Sequence, residues 1–310
     1  MLAFSACVAG SFALGGLVAN QIAPDVLTVL RFWLAAVVLG GVALFTTGLP
    51  RAAFHAPWRY VLLGALYAVY FVLMFEGLKT APPVSAAAVF TMTPLMAAGF
   101  GWLILRQRLT GRMAVALLIG AAGAIWVIFR ADIAAILRFE IGPGERIYFI
   151  GCVAHAIYAP LVRRLNRGET ALVSSFGTVV AGALLLTVWS WRDLLAVGWA
   201  ALPAVVWITL AYLTVFATAA SFVLLQYASL RLPAAKVMAY TYLVPSWVIL
   251  WQVALGGAVP VVWVLAGVGR RNCARTSPLA AVAAAPERSA RHRPAPTPPA
   301  PPRQVPLATG

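Results

Sequence analysis

Residues 77–102 read GLKTAPPVSAAAVFTMTPLMAAGFGW, and residues 228–252 read ASLRLPAAKVMAYTYLVPSWVILWQ. Each stretch holds two prolines that stand 12 residues apart, namely Pro82 with Pro94 and Pro233 with Pro245. The first proline of each pair lies in a short link that carries a basic residue, and the second interrupts an apolar run. The matched spacing indicates an internal duplication with a period of 151 residues, far longer than the repeats of solenoid proteins.

The composition predicts an integral membrane protein. Hydrophobic residues make up 63% of the chain and charged residues 10%, whereas a soluble domain is about 45–50% apolar and about 25% charged. A long-period duplication in so apolar a chain is typical of transporters built from two homologous halves. Residues 1–19 lack a basic start and a cleavage site, which predicts a first membrane helix and not a cleaved signal peptide.

Apolar segments of about 20 residues are long enough to cross a bilayer. The predicted segments are 1–19, 26–48, 58–78, 83–105, 112–129, 147–163, 171–190, 203–228 and 234–255, followed by a shorter one over 258–269. They predict an all-α protein of about ten helices, the last truncated or altered, in two five-helix repeats over 1–130 and 147–269. Because five is odd, the second repeat enters the membrane from the opposite side, and residues 131–146 form an extracytoplasmic link.

Basic residues alternate between the links and so predict the orientation. One set of links holds Arg51, Arg59, Arg106, Arg108, Arg112, Arg163, Arg164, Arg167, Arg231 and Lys236. The other set holds Lys79, Arg130, Arg138, Arg146 and Arg192, with five acidic residues. Positive charge favours the cytoplasmic side, so we expect a cell-membrane protein with a cytoplasmic N-terminus. The net charge of +15 does not predict nucleic-acid binding, because the basic residues form no stripe with interleaved aromatics.

The end of the chain departs from the apolar pattern. Residues 270–310 are rich in Pro, Ala and Arg and predict a disordered basic tail. One interpretation is a tenth helix whose second half was replaced by a shift of reading frame. The other is a nine-helix protein with a natural tail, which would leave seven basic residues outside, against the charge rule.

Several motifs resemble the EamA family of the drug/metabolite transporter superfamily. They are GSF (10–12), APDVLTVLRF (23–32), LGALYAVYFVLMFEGLKTAPPVSAAAVFTMTPL (63–95), LLIGAAGAIWVI (117–128), YASLRLPAAKVMAYTYLVPSWVILWQ (227–252) and VLAGVG (264–269). The resemblance implies ten helices in two inverted repeats, a central substrate cavity and alternating access, without naming a substrate. Arg106-Gln107-Arg108 replaces the family's acidic Gly-Glu turn, and the last helix is incomplete.

Pro94 and Pro245 are the first candidate site residues. A proline inside a helix frees the carbonyl four residues earlier, here that of Phe90 and Thr241. Such kinks serve either as hinges that line a substrate cavity or as simple packing curvature. The nearby polar and aromatic residues are Thr91, Thr93, Tyr240, Tyr242 and Trp247. We expect them either to line a substrate cavity or to bind neighbouring helices.

Charged and titratable residues inside the predicted helices form a second group of candidates. Arg31 and Glu76 lie at similar depth toward the extracytoplasmic side, which predicts an ion pair or a shared polar mouth; the alternative is snorkelling to the headgroups. Arg31 also matches an arginine that EamA-like sequences carry at the start of helix 2. His155 is a candidate for proton coupling or a packing residue.

These features predict a secondary transporter that exports a small organic metabolite, an amino-acid-like compound or a drug. The alternatives are a lipid-handling or scaffolding protein and a non-functional frameshifted transporter. The sequence has no nucleotide-binding loop, no metal-ligand spacing among its three cysteines and no clustered acids or histidines. We therefore expect no enzyme activity, cofactor or metal, and expect the partners to be a small-molecule substrate and the bilayer.

Overall fold

The computed structural model describes residues 1–108, 110–128 and 141–256. In these residues nine helices, interrupted in places, form the bundle: α1 Leu2–Val18, α2 Pro24–Thr46, α3 Trp58–Leu78, α4 Pro83–Leu105, α5 Gly111–Ile128, α6 Pro143–Leu165, α7 Ala171–Trp189, α8 Ala204–Arg231 and α9 Ala234–Ala254. Short helical turns at Arg51–Phe54, Trp191–Ala196 and Trp199–Ala201 occupy the links.

The described helices agree with the nine predicted segments to within a few residues at most ends. The largest difference at a start is in α6, which begins at Pro143 and not at residue 147. Proline fits the first turn of a helix and Glu145 complements its positive end, so the helix starts at these polar residues. The predicted tenth segment 258–269, the tail 270–310 and residues 131–140 of the predicted link lie outside the described residues.

Length and composition identify the bundle as a multi-pass membrane protein. Among the described residues, α2, α3, α4, α7, α8 and α9 are long and apolar enough to cross a bilayer. Helix α6 is equally long but carries charged residues in its first and last turns. Large apolar side chains face outward, with Phe45 93% exposed and Val188 77% exposed. A surface of this kind is suited to lipid and not to water.

Four links meet at one end of the bundle, which we call the basic end; their described residues are 47–57, 106–108 with 110, 166–170 and 232–233. Arg59 donates to the carbonyl of Leu165 at 2.7 Å, and Arg164 donates to the carbonyl of Ile104 at 2.8 Å. The side chain of Gln107 accepts from the Ala234 N–H at 3.1 Å. The ten basic residues predicted to share one side therefore cluster at one end, where Glu169 is the one acidic residue among those described.

The opposite end gathers the remaining described links. Asn20, after α1, donates to the carbonyl of Lys79 at 3.4 Å, and the backbone of Gly77 lies beside that of Gly144 at the start of α6. Helix α1 thus ends where α6 begins, so the first helices of the two halves run in opposite directions. This is the inverted arrangement that the odd helix number predicts.

Helix α3 of the first half is packed between helices of the second half. It runs antiparallel to α6, with the Gly151 backbone against that of Tyr70, and it approaches α7 closely where Gly64 faces Gly182. Small residues at these crossings allow the backbones to touch. The two halves therefore share one core.

The turn after α4, where the sequence departs from the family pattern, contains a residue in the left-handed conformation. Arg106 has a φ of 53°, in the left-handed region that glycine adopts most easily. The next residue, Gln107, accepts from the first free N–H of α9. The turn at Arg106-Gln107-Arg108 therefore contacts the second half through Gln107.

Candidate functional site

Helix α4 breaks in its middle, one turn before Pro94. Its α-helical parts are Pro83–Phe90 and Thr93–Leu105, and the Thr91 and Met92 N–H groups bond three residues back, at 3.0 and 2.9 Å. The Phe90 carbonyl accepts from the Thr93 hydroxyl at 2.6 Å. A side chain thus replaces the backbone donor that proline lacks, as is needed for buried backbone in a membrane.

Helix α9 is irregular at the matching position before Pro245. Residues Ala239–Leu243 form a 3-10 segment, and the α-helix resumes at Val244. The Thr241 carbonyl accepts from the Val244 N–H. Both predicted proline sites are therefore breaks in the helical path, one in each half.

Helix α8 has an irregular segment that the sequence did not predict. Residues Val215–Ala220 have π-helical geometry, and the Thr218 hydroxyl donates to the carbonyl of Leu213 at 2.8 Å. Segments of this type occur within α-helices and are frequent at functional sites. Three helices that reach the middle of the bundle are thus interrupted there.

A buried cluster of rings lies between α3, α4, α6 and α8; we call it the central cluster. Its members are Tyr67, Tyr70, Phe71, Phe90, Tyr148, His155, Tyr158 and Phe222. The His155 ring stacks on Tyr70 with centroids 4.4 Å apart and lies 5.3 Å from Phe90 and 5.4 Å from Tyr67. Because Tyr70 comes from the first half and His155 from the second, the cluster forms part of the junction between the halves.

The central cluster combines apolar ring faces with polar atoms that lack partners. Tyr148 donates to Tyr70 at 3.2 Å, and Gln226 donates to the Tyr158 hydroxyl at 2.9 Å. Among the described residues, the two ring nitrogens of His155 and the side-chain oxygen of Gln226 have no hydrogen-bond partner. Buried polar atoms are rarely left in this state, and a polar ligand or water that entered the cluster would satisfy them.

Arg31 borders the central cluster and is fully buried. Its Nε and Nη2 donate to the Thr218 hydroxyl at 2.9 and 2.7 Å, and Nη2 also donates to the Ala217 carbonyl at 3.3 Å. The guanidinium carbon lies 3.8 Å from the centroid of the Phe71 ring, a cation–π contact. Arg31 of the first half is thereby anchored to the π-helical segment of the second.

The predicted pairing of Arg31 with Glu76 is wrong. Glu76 pairs with Lys79 at 2.7 Å on a surface where 41% of the Glu76 side chain is exposed. Arg31 faces the rings of Phe71 and Phe75, and Glu76 points about 100° away because it follows Phe75 by one helical residue. Nor does Arg31 line an open mouth, since its side chain has no exposed surface.

The structure brings Thr93, Pro94 and His155 to one region and leaves other candidates elsewhere. The Thr91 hydroxyl donates to the Ala88 carbonyl at 2.6 Å, so both threonine donors are used within α4. Tyr242 donates to the Leu117 carbonyl of α5 at 3.1 Å, in a small separate apolar cluster. This contact turns Tyr242 away from the central cluster.

The remaining candidates on α9 are partly buried. Trp247 packs against the main core, and its indole N–H has no hydrogen-bond partner among the described residues. Tyr240 is half-buried in the 3-10 segment. These two residues therefore flank Pro245 on either side of the irregular part of α9.

Sequence reasoning missed several residues that form this region. Tyr67, Tyr70 and Phe71 are spaced i, i+3 and i+4, which places them on one helix face, so their spacing could have identified them. Thr218 carries no comparable signal, because a π-helical segment and its partner on a distant helix cannot be read from local periodicity.

Contacts between the halves also lie at both ends of the bundle. Arg59 pairs with Glu169 at 2.6 Å at the basic end, and Ser85 donates to the buried carboxylate of Glu145 at 2.7 Å near the opposite end. Burial alone would raise the pKa of Glu169, but hydrogen bonds from Arg59 and from the backbone N–H groups of Arg167 and Glu169 hold it below its usual value. At least one polar contact between the halves thus lies toward each end of the bundle.

Two inverted helical halves around a buried polar and aromatic junction define a polytopic membrane protein of the two-repeat transporter class. Residues 1–129 and 143–269 each match the EamA-like transporter family. The chain belongs to that family, which confirms the resemblance of its motifs and indicates membrane transport of small solutes.

Two further similarities agree with this assignment. The "Uncharacterized transporter YyaM" of Bacillus subtilis (strain 168) is 27% identical over 270 residues, which cover 86% of this chain and 88% of that relative. A crystal structure of another protein superposes with a TM-score of 0.70 at 20% identity and covers 92% of this chain and 97% of that one. At this identity the second similarity concerns the fold alone.

Proposed function

We propose that the protein is a secondary transporter that exports a small organic solute across the cell membrane by alternating access, with the central cluster as its solute site. The observation that carries the proposal is a fully buried junction between inverted halves that contains unpartnered polar atoms of His155, Gln226 and Arg31. The other described side chains with unpartnered buried atoms carry hydroxyl groups or, at Trp247, an indole N–H. The junction instead holds a guanidinium, an imidazole and an amide, which are strongly polar groups that need partners when buried. A solute that displaces the rings of the junction would satisfy them.

Alternating access requires that the two ends open in turn. The Arg59–Glu169 pair closes the basic end and the Ser85–Glu145 hydrogen bond closes the opposite end. Each joins one half to the other, so relative motion of the halves breaks one while the other persists. The interruptions before Pro94 and Pro245 and in Val215–Ala220 supply places where helices can bend.

Purified full-length protein in proteoliposomes tests this proposal. Vesicles loaded with a mixture of radiolabelled organic acids, amides and amines should release at least one class faster than protein-free vesicles. If no solute class is released and the protein scrambles lipids, the lipid-handling alternative is favoured. If neither activity is observed, the scaffolding or non-functional alternative is favoured.

Proton coupling is assigned to His155 within the same proposal. It is the one histidine of the central cluster, and an imidazole ring can carry a proton on either ring nitrogen. An imposed proton gradient should accelerate release by the wild type and leave His155→Gln unaffected. Equal acceleration of both would remove His155 from this role.

Orientation is a separate part of the proposal. The ten basic residues at the basic end support a cytoplasmic position for that end and for the N-terminus. Single cysteines placed at Arg108 and Arg167 should be protected from a membrane-impermeant thiol reagent in intact cells. A cysteine placed at Asn20 should react, and the reverse pattern would invert the orientation.

A further inference from the structure

Arg31 holds donors that nothing in the described protein uses. A guanidinium has five N–H donors. The three on Nε and Nη2 reach Thr218 and Ala217, whereas Nη1 is buried without a partner. Its two N–H groups are the only donors of the guanidinium left without a hydrogen bond. The contact with α8 therefore accounts for Nε and Nη2 but leaves Nη1 without a role.

The positive charge of Arg31 is also uncompensated. Of the five described acids, Glu76 pairs with Lys79 and Glu169 pairs with Arg59. Glu145 accepts from Ser85, Asp25 accepts from the N–H of Val26, and Asp193 lies exposed in the turn Trp191–Ala196. None forms an ion pair with Arg31 in the described part of the chain. Rings and two neutral oxygens surround it instead, and a buried charge in a membrane is normally paired or faces water.

The position of Arg31 suits a solute site better than a structural role. It lies on α2 of the first half and bonds to the π-helical segment of the second. The guanidinium of Arg31 lies over the Phe71 ring. The centroid of the Phe71 ring is 4.7 Å from that of Tyr70, and the Tyr70 ring stacks on His155. The free donors and the unpartnered imidazole thus border one continuous set of rings.

We propose that the transported solute carries an anionic group, a carboxylate or a phosphate, and that this group binds the free Nη1 edge of Arg31. The proposal rests on the transport function proposed above and gives its solute a charge. An anion supplies both the acceptors and the negative charge that the protein lacks there, and guanidinium is well matched to both oxyanions.

Matched pairs of acid and amide test the charge of the solute. Full-length protein in micelles is titrated with acetate and acetamide, with phenylacetate and phenylacetamide, and with phenylphosphonate, and the ligand-induced rise of the unfolding midpoint is recorded. At least one acid should bind about tenfold or more tightly than its amide, as expected for a charge-assisted pair. The comparison of phenylacetate with phenylphosphonate distinguishes carboxylate from phosphate.

Variants assign the preference to Arg31. Arg31→Gln should bring the ratio of acid to amide affinity to about one, and Arg31→Lys, which keeps the charge and serves as the folding control, should retain part of it. Arg108→Gln removes an exposed arginine at the basic end and should leave the ratio unchanged. Size-exclusion profiles identify any variant that does not fold.

The proposal is overturned if neither carboxylate binds the wild type more tightly than its amide and phenylphosphonate binds no more tightly than phenylacetamide. It is also overturned if the preference survives in folded Arg31→Gln. Transport of a neutral or cationic solute in proteoliposomes would leave the proposed function intact while removing this inference. Preferential acid binding without transport of any solute would support the site and contradict the transport function.

Discussion

Arg59 of α3 donates to Glu169 of the link before α7 at 2.6 Å, and their side chains are only 3% and 6% exposed. Arg59 also donates to the carbonyls of Ala53 at 3.2 Å and Leu165 at 2.7 Å. One guanidinium therefore joins the link between α2 and α3 of the first half to the last turn of α6 in the second.

Arg59→Ala should lower the free energy of unfolding by on the order of 3 kcal/mol, because it leaves a buried carboxylate without its cation. Thermal unfolding of the full chain in micelles measures the change. Arg163→Ala, which removes an exposed arginine of the same end, should change it by less than about 0.5 kcal/mol. Equal effects of the two changes would show that the Arg59 pair contributes no specific stability.

The lowered pKa of Glu169 predicts an acid-dependent loss of stability. The folded chain binds this proton less readily than the unfolded chain. The stabilisation is therefore present above the ordinary carboxyl pKa of about 4.3 and disappears as the pH falls below it through the lowered pKa.

Unfolding midpoints of wild type and Glu169→Gln, recorded at neutral pH and at about pH 3, test this dependence. The wild type should lose more stability on acidification than the variant does. Glu76→Gln, which alters the more exposed pair with Lys79, should behave like the wild type, since exposed pairs contribute little. A Glu169→Gln profile that parallels the wild type would contradict the prediction.

The close approach of α3 and α7 predicts that Gly64 tolerates no side chain. A Cβ there would lie 2.6 Å from the Gly182 nitrogen and 2.8 Å from the Thr178 oxygen, both backbone atoms. Gly64→Ala should therefore destabilise the chain by about 1–3 kcal/mol. Gly41→Ala, with nothing within 4 Å of the new Cβ, should instead stabilise it by about 0.5–1 kcal/mol; thermal unfolding of both variants decides the matter.

The broken path of α4 predicts a kinetic effect of Pro94. In Pro94→Ala residue 94 regains an N–H that competes with the Thr93 hydroxyl for the Phe90 carbonyl, which favours a straighter helix. We expect solute release to slow severalfold with unchanged solute affinity, because the conformational step is affected. Pro83→Ala, in the first turn of α4, should preserve the release rate, and a matching loss there would argue against a hinge at Pro94.

Much of the fold was predictable because its signals are local or repeated. Segment length and apolarity identified the nine described helices, and the odd number per half predicted their inversion. The alternation of basic residues predicted which links lie at the same end of the bundle. The contacts of Arg59, Arg164 and Gln107 agree with that grouping. Two matched prolines marked where α4 and α9 are interrupted.

Partners across the bundle were not predictable. The sequence predicts similar depth for Arg31 and Glu76, but pairing also depends on rotation about each helix axis and on which neighbours intervene. Arg31 instead lies against Phe71 and Phe75 and bonds to Thr218 in the π-helical segment of α8.

The sequence by itself determined that this is a membrane bundle of two related, inverted halves, because hydrophobic length, repeat spacing and charge alternation are properties of the chain read in order. Only the tertiary structure decided that Arg31 lies against Thr218 and that His155 stacks on Tyr70. Those contacts join residues far apart in sequence, and their energies depend on burial and orientation, which arise only when the helices pack together.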